Sequence, residues 1–344
     1  YGKYKELEPS KYLLKKYSKY LEEFKLMEEL ARILEERRNV AGALNLDVPE
    51  TKITFNKQGK VKDVDKYEYT FANKIIEEFM LTANETIAEK FYWLEAPFMY
   101  RVHEKPDAEK ISELNKFLFN IGYKVKGNKD NIYTKAFSDV LEKAKGTEEE
   151  QVVSNLILRT LKVARYENQN KGHFGLASKY YCHFTSPIRR YPDLYIHRII
   201  SKYLEDNYNV SEKYIEKQKE LSEKYAFSSS EREKNAQKAE REIIEIKKAE
   251  YMQDKIGERY IGIVSGVTSF GIFVELSNTI EGLIRFEDLG NDYYVYDDNR
   301  KTLTGEKTKE VFSLGKKVRV EVIEASKDMG RIRFKKVENR KKKK

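Results

Sequence analysis

The sequence predicts an α+β protein in two parts: a mainly helical body with a hairpin and short strands, then a small closed β-barrel of the OB type. Three observations predict it. Apolar residues recur at three- and four-residue spacing through much of the chain up to about residue 255. Five short alternating strands then crowd into the final portion, the pattern of a small barrel. With 344 residues, the chain has room for two or three domains with real cores.

The elements follow in order. Residues 11–38 read as a helix, because Leu13, Tyr17, Leu21, Phe24, Met27, Leu30 and Leu34 share one spacing and Gly42 breaks it. Ile53 and Phe55 alternate with polar residues, Asn56-Lys57-Gln58-Gly59 supplies turn chemistry and Val61 begins the return, so residues 52–64 read as a hairpin. A second helix spans 72–93 with Ile75, Ile76, Phe79, Met80, Ala83, Ile87 and Phe91 inward. After an extended piece at 98–102, Pro106 and Asp107 open a helix that Gly122 ends. Thr147 and Glu150 have capping-box spacing and are expected to open a helix over 148–165.

Residues 172–198 have little periodicity and hold three of the four histidines. Asp193 is placed to cap a helix over 194–204. The charged stretch 212–255 is expected as helix in two antiparallel pieces, broken near residues 227–230. Strands follow at 260–264, 272–276, 281–285, 318–322 and 332–334. The domain boundaries are therefore placed at 1–210, 211–255, 256–338 and 339–344, the last a Lys-rich tail.

Composition narrows the function classes. A hydrophobic share of 40% beside a charged share of 36% marks a globular chain rather than a disordered one. The single cysteine, Cys182, excludes an internal disulfide framework and a multi-cysteine zinc site, and fits a reducing compartment. No apolar run approaches the roughly 18 residues that span a bilayer, and no secretory signal precedes the first helix, so a soluble, cytoplasmic protein is expected. The chain opens at Tyr1 rather than methionine, which suggests a piece of something longer. The net charge is +9, yet residues 331–344 hold nine basic residues against Glu338 alone. The rest is close to neutral, so a tight anion site upstream must come from local clustering of Arg and Lys.

Such a cluster lies in Thr185-Ser186-Pro187-Ile188-Arg189-Arg190-Tyr191-Pro192-Asp193. Two prolines stiffen the backbone around paired guanidiniums, whose planar forks match phosphate oxygens. The alternative is that Arg189 and Arg190 bridge to nearby carboxylates such as Asp193. Acidic groups offer less. Asp292, Asp297 and Asp298 are interleaved with tyrosines and read as a surface loop, and Asp63 and Asp65 as turn residues. Glu77 and Glu78 are adjacent on an otherwise apolar helix, so one of them is expected to face an arginine or a functional partner, with Asn84 a little under two turns on. In the barrel, a bulge at Gly271 would present Phe270 and Phe273 on one face for base stacking, with Arg285 and Arg331 beside them for phosphates.

At these residues the sequence resembles a known family. HFTSPIRRYPDL followed by IHR, with IIEEFMLTAN, YRVHEKP and GHFGLA in the same order, is similar to the RNB family of exoribonucleases; GVTSFGIFVEL and EGLI resemble an S1 RNA-binding domain. The resemblance implies a partial RNB catalytic domain followed by an S1 barrel. It also implies processive 3′→5′ hydrolysis of RNA to nucleoside 5′-monophosphates with magnesium. Arg189 would contact the scissile phosphate, supported by Arg190, Ser186 and Tyr191. Glu77 would sit near the 3′-terminal nucleotide, and Glu240 would pair with an arginine of the clamp. Phe270, Phe273 and Arg331 would contact RNA, and Arg285 stands where the family often has histidine.

The family's magnesium-binding aspartates are expected before Tyr1. The chain is therefore read as a carboxy-terminal fragment, inactive alone, with no metal ligand of its own. Its expected partner is the 3′ end of single-stranded RNA, with no membrane and no small-molecule cofactor, bound by a monomer. The rival reading is a standalone RNA-binding module that uses the barrel and basic tail without catalysis.

Overall fold

Residues 11–46, 50–127, 133–147, 149–298 and 300–337 are described in a computed structural model of the protein. The Lys-rich tail expected at 339–344 lies outside the described residues. Helix α1 (Lys11–Tyr17) continues through a 3₁₀ turn (Ser18–Tyr20) into α2 (Leu21–Ala41). Gly42 closes α2 at φ +89°, where a Cβ would lie 2.7 Å from Lys135 Cα. The apolar stripe read from the sequence is largely solvent-facing here: Leu13, Phe24 and Leu30 are exposed, and Ala31 is the buried residue of α2.

Strands β1 (Thr51–Phe55) and β2 (Val61–Lys66) form the expected hairpin, antiparallel with an irregularity at Thr54/Phe55. Helix α3 (Phe71–Trp93) follows, its amino terminus fixed by a capping box of Thr70 and Asn73. Its inward face differs from the expected one. Lys74, Glu78, Asn84, Ala88 and Phe91 are buried, while Ile76 and Met80 are exposed. The polar positions turn inward because Arg38 of α2 binds Glu78 there.

Strand β3 (Tyr100–Val102) pairs antiparallel with β4 (Arg165–Glu167). Between them lie α4 (Ala108–Asn120), α5 (Thr134–Ala144) and α6 (Glu150–Thr160). These pack around Leu114, Leu118, Phe137, Val140, Val153 and Ile157. The sequence reading had no helix at α5, although Phe137, Val140 and Ala144 carry its spacing. The helix expected over 148–165 is shorter, because Leu161 turns extended and the chain runs on into β4. Its start is not a capping box either: the Thr147 hydroxyl donates to the Ala144 carbonyl, and Glu150 accepts from the Gly146 amide.

A 3₁₀ turn (Phe174–Leu176) leads through the arginine loop to α7 (Tyr191–Glu205), which starts three residues earlier than expected. Helix α8 (Glu212–Gln253) is one continuous helix of 42 residues, not two antiparallel pieces. It contains no Gly or Pro to break it. Within it the Ser230 hydroxyl donates back to the Ala226 carbonyl and accepts from the Tyr166 amide on β4.

Strands β5 (Arg259–Thr268), β6 (Gly271–Leu276) and β7 (Glu281–Arg285) begin the barrel, and a short helix α9 (Phe286–Leu289) follows. An excursion of β8 (Tyr294–Asp297), β9 (Thr302–Gly305) and β10 (Val311–Phe312) then makes a small sheet. Strands β11 (Lys317–Ser326) and β12 (Arg331–Lys336) complete a closed barrel in the order β11-β12-β7-β6-β5. The five expected strands are those of the barrel. The excursion corrects the reading of residues 291–299 as a loop: Tyr294 is buried, and Asp292 organises a turn by accepting from the amides of Tyr293, Lys307 and Thr308.

Candidate active site and nucleic-acid interface

The chain entering the arginine loop is tied down almost residue by residue. The Tyr181 carbonyl accepts from the Arg101 amide at 2.9 Å. Asn84, only 3% exposed, donates through Nδ2 to the Tyr181 hydroxyl at 3.2 Å and accepts the Phe184 amide at 2.9 Å. The Cys182 thiol donates to the Asn84 carbonyl. His183 Nδ1 and the Tyr166 hydroxyl are hydrogen-bonded at 2.8 Å. The Phe184 carbonyl accepts from His197 Nε2 at 2.9 Å, and the two rings stack at 4.4 Å. Behind Tyr166, the Arg101 guanidinium lies 4.6 Å from the ring centre and donates to Glu233 of α8 at 2.5 Å.

Burial sets the protonation of this cluster. Desolvation, reinforced by the Arg190 and Arg101 charges, holds the His183 imidazole down at about 2; desolvation beside His103 holds His173 at about 3. The same desolvation pushes the Tyr166 and Tyr181 hydroxyls up to about 12. The rings are neutral scaffold at physiological pH.

The two readings of the arginine pair divide between its members. Asp193, fully buried as the third residue of α7, accepts the Ser186 amide and Arg190 Nη2 on the same oxygen, each at 2.7 Å. It therefore closes the loop from inside the first helical turn, where the sequence had suggested a cap for a later helix. Arg189 is exposed and makes no side-chain hydrogen bond or ion pair among the described residues. Ile188 beside it is fully exposed, at 101%. A stiff loop thus presents one free guanidinium to solvent. Tyr191 is half-exposed and meets Tyr225 of α8 edge-on at 5.2 Å.

The carboxylates sort in the same way. Of the adjacent pair on α3, Glu78 is the one facing an arginine, with Arg38 at 2.5 Å and Lys74 at 3.1 Å. Glu77 is partly exposed, accepts from the Tyr69 hydroxyl and lies 3.6 Å from Lys74. Glu240 does not pair with the clamp: it is exposed on α8 with no ion pair among the described residues, and the carboxylate that Arg190 reaches, through Nη2, is Asp193. Glu233, two helical turns earlier, is the α8 carboxylate that reaches an arginine. Sequence reasoning missed it because Arg101 lies on a distant strand. No group of three or more His, Cys, Asp or Glu among the described residues is arranged to hold a metal ion, so these residues do not fit a magnesium site.

The barrel brings its four expected residues together. Phe270, Phe273, Arg285 and Arg331 line one cleft of about 760 Å³, with Glu245 of α8 on its rim. The two phenyl rings meet edge-on at 6.2 Å. The register irregularity lies in β5 at Val264/Gly266, where Gly266 pairs with Phe273, and not at Gly271, which pairs with Thr268. Gly271 matters for another reason: at φ +154° its missing Cβ would lie 2.2 Å from the Ile284 carbonyl oxygen. Arg331 is exposed without an ion pair among the described residues, and Arg285 is 3.9 Å from Glu287. Arg333 is committed to Glu287, Asp288 and Glu324.

Helix α8 connects the two sites. It touches β4 through Ser230, carries Glu233, and seats Ala249 and Met252 in the barrel core. From Glu233 to Ala249 the rise is about 24 Å. The intervening positions are mostly exposed and polar, as in a helix that bridges two packed bodies.

Comparison with known proteins decides the family. Residues 4–206 match the RNB domain, and residues 253–336 match the S1 RNA binding domain. The chain belongs to the RNB family. Within it, the chain is 40% identical over 321 residues to ribonuclease R 1 of Lactococcus lactis, covering 93% of this chain and 39% of that protein. It is 41% identical over 328 residues to ribonuclease R of Aquifex aeolicus, covering 95% and 46%. The fold matches Mycoplasma genitalium RNase R in complex with ribose-methylated single-stranded RNA at a TM-score of 0.87 and 26% identity, over 97% of this chain and 51% of that one. The chain spans about two fifths to one half of the length of these RNB relatives. No helix among the described residues is long and apolar enough to cross a membrane.

Proposed function

We propose that this chain supplies the RNA-gripping and charge-stabilising part of a 3′→5′ exoribonuclease that releases nucleoside 5′-monophosphates from single-stranded RNA. The observation that carries the reading is the free Arg189 guanidinium on a loop fixed by Asn84, His183, His197 and Asp193. Preorganised cations of this kind stabilise negative charge that develops on a phosphodiester in the transition state. Arg190 does not share that task; with Ser186 and Asp193 it holds the loop closed, so Arg189 meets the phosphate without reorganising. Glu77, the accessible carboxylate of α3, is assigned to the terminal nucleotide. The barrel cleft takes an upstream stretch, with bases stacked on Phe270 and Phe273 and phosphates at Arg285 and Arg331.

The family resemblance implies magnesium-dependent hydrolysis, and no step through the ion is assigned to the described residues, which do not fit a magnesium site. By itself the chain therefore holds RNA as a cytoplasmic monomer without cutting it. The test is binding of a 5′-labelled single-stranded oligoribonucleotide in the presence and absence of magnesium. Binding that weakens steeply with salt, and RNA that stays intact, are expected. The rival, a standalone binding module, predicts that Arg189→Ala leaves both affinity and 3′-end preference unchanged.

A further inference from the structure

At the carboxy-terminal end of α3, three aromatic rings crowd one patch of surface. Tyr92 meets Trp93 edge-on at 5.3 Å and Tyr180 at 4.8 Å, and Trp93 lies 6.2 Å from Tyr180. Trp93 is 69% exposed and Tyr92 40%. Single exposed aromatics are ordinary, but three touching rings beside a concavity mark a binding surface. Tyr92 and Trp93 line a cavity of about 430 Å³ together with Asn168, Gln169 and Asn170, which follow β4.

The polar groups of this cavity are of two kinds. Asn170 is committed to its own loop, donating to the Lys179 carbonyl and accepting the Gly172 amide. Asn168 and Gln169 make no side-chain hydrogen bond among the described residues, and Gln169 is exposed. Glu95 is the one charged residue of the lining, so the cavity itself does not attract a phosphate. Lys179, exposed and next in the chain to Tyr180, stands outside it.

We infer that this cavity is a subsite for one unpaired nucleobase of RNA, adenine by preference, separate from both the arginine loop and the barrel cleft. Stacking on an exposed indole is open to any base, because every base has a π face. Discrimination comes from the free amides: a carboxamide both donates and accepts, which matches the N6 and N7 edge of adenine. Apart from Glu95 the lining is uncharged, which suits a base rather than a phosphate. The assignment rests on the proposed RNA chemistry only for the source of the base.

Trp93 is the single tryptophan of the chain, so its fluorescence reports this cavity alone. Titration of the full chain with adenosine 5′-monophosphate is expected to quench it saturably, at least about fivefold more tightly than uridine 5′-monophosphate. Tyr92→Ala should weaken binding roughly tenfold. Gln169→Ala, at an exposed position, should remove the adenine preference while leaving the melting temperature unchanged, so it carries the test even if Tyr92→Ala fails to fold. Arg189→Ala should leave the quenching intact; if that variant also binds RNA normally, the active-site reading fails while the nucleobase cavity stands. The inference is overturned by absence of saturable quenching, by equal quenching with both nucleotides, or by equal quenching with a proline-rich peptide or a neutral sugar.

Discussion

Asn84→Ala isolates the residue that ties helix α3 to the arginine loop. Asn84 is 3% exposed, and its carboxamide serves the Tyr181 hydroxyl and the Phe184 amide at once. Truncation strands both groups, and an unsatisfied buried polar group costs about 1–3 kcal/mol. The expected loss is therefore about 2–5 kcal/mol. It is measured as a shift of the urea midpoint at unchanged slope, by far-ultraviolet circular dichroism. Tyr181→Phe removes the other end of one bond, so the pair should show a coupling of about 1 kcal/mol in a double-mutant cycle. Because the loop carries Arg189, Asn84→Ala should also weaken RNA binding, and should weaken it no further once Arg189 is already alanine. A loss below about 0.5 kcal/mol, or strictly additive effects, would refute the positioning role.

Three further outcomes follow from the same geometry. Glu233→Gln leaves the largely buried Arg101 without its counter-charge under Tyr166, and should lower stability by about 3 kcal/mol, whereas Glu240→Gln should change it by less than about 0.5 kcal/mol; thermal melts compare the two. Gly271→Ala forces a Cβ onto the Ile284 carbonyl and should destabilise the barrel by more than about 2 kcal/mol, read as lost amide-exchange protection at Ile272, Val274 and Ile284. His183 and His173 are held near 2 and 3 in the fold against an ordinary value of 6.5, so the unfolded chain binds more protons in between. Stability should be fully present above pH 6.5 and fall as pH drops below it, by at most about 1.4 kcal/mol per pH unit for each ring. Substituting His183→Gln should flatten that slope in denaturation curves taken from pH 7 to pH 4.5.

The barrel was legible because its code is local. Alternation along Ile272–Val274–Leu276 and the turn glycines specify strands whatever the rest of the chain does, and the four residues Phe270, Phe273, Arg285 and Arg331 sit on strands or turns that this register brings together. The arginine loop was legible as a motif, but the division of labour inside it was not. Arg190 and Arg189 are adjacent and chemically equal until the fold buries Asp193 next to one of them. The choice between Glu77 and Glu78 depends on Arg38, a residue of another helix. Glu233 depends likewise on Arg101, a residue of a distant strand. The strands β8 to β10 are two to four residues long, too short to stand out in a sequence full of tyrosine and aspartate.

The central claim is that Arg189 is the free, preorganised cation that meets the phosphodiester at the 3′ end. It is tested most directly by grafting this chain in place of the matching 321-residue portion of Lactococcus lactis ribonuclease R 1 and measuring nucleoside 5′-monophosphate release from single-stranded RNA. The account predicts that the graft cuts RNA, that Arg189→Ala lowers turnover on the order of a hundredfold with the fold intact, and that Glu240→Ala does not. Unchanged turnover in the Arg189→Ala graft would contradict it.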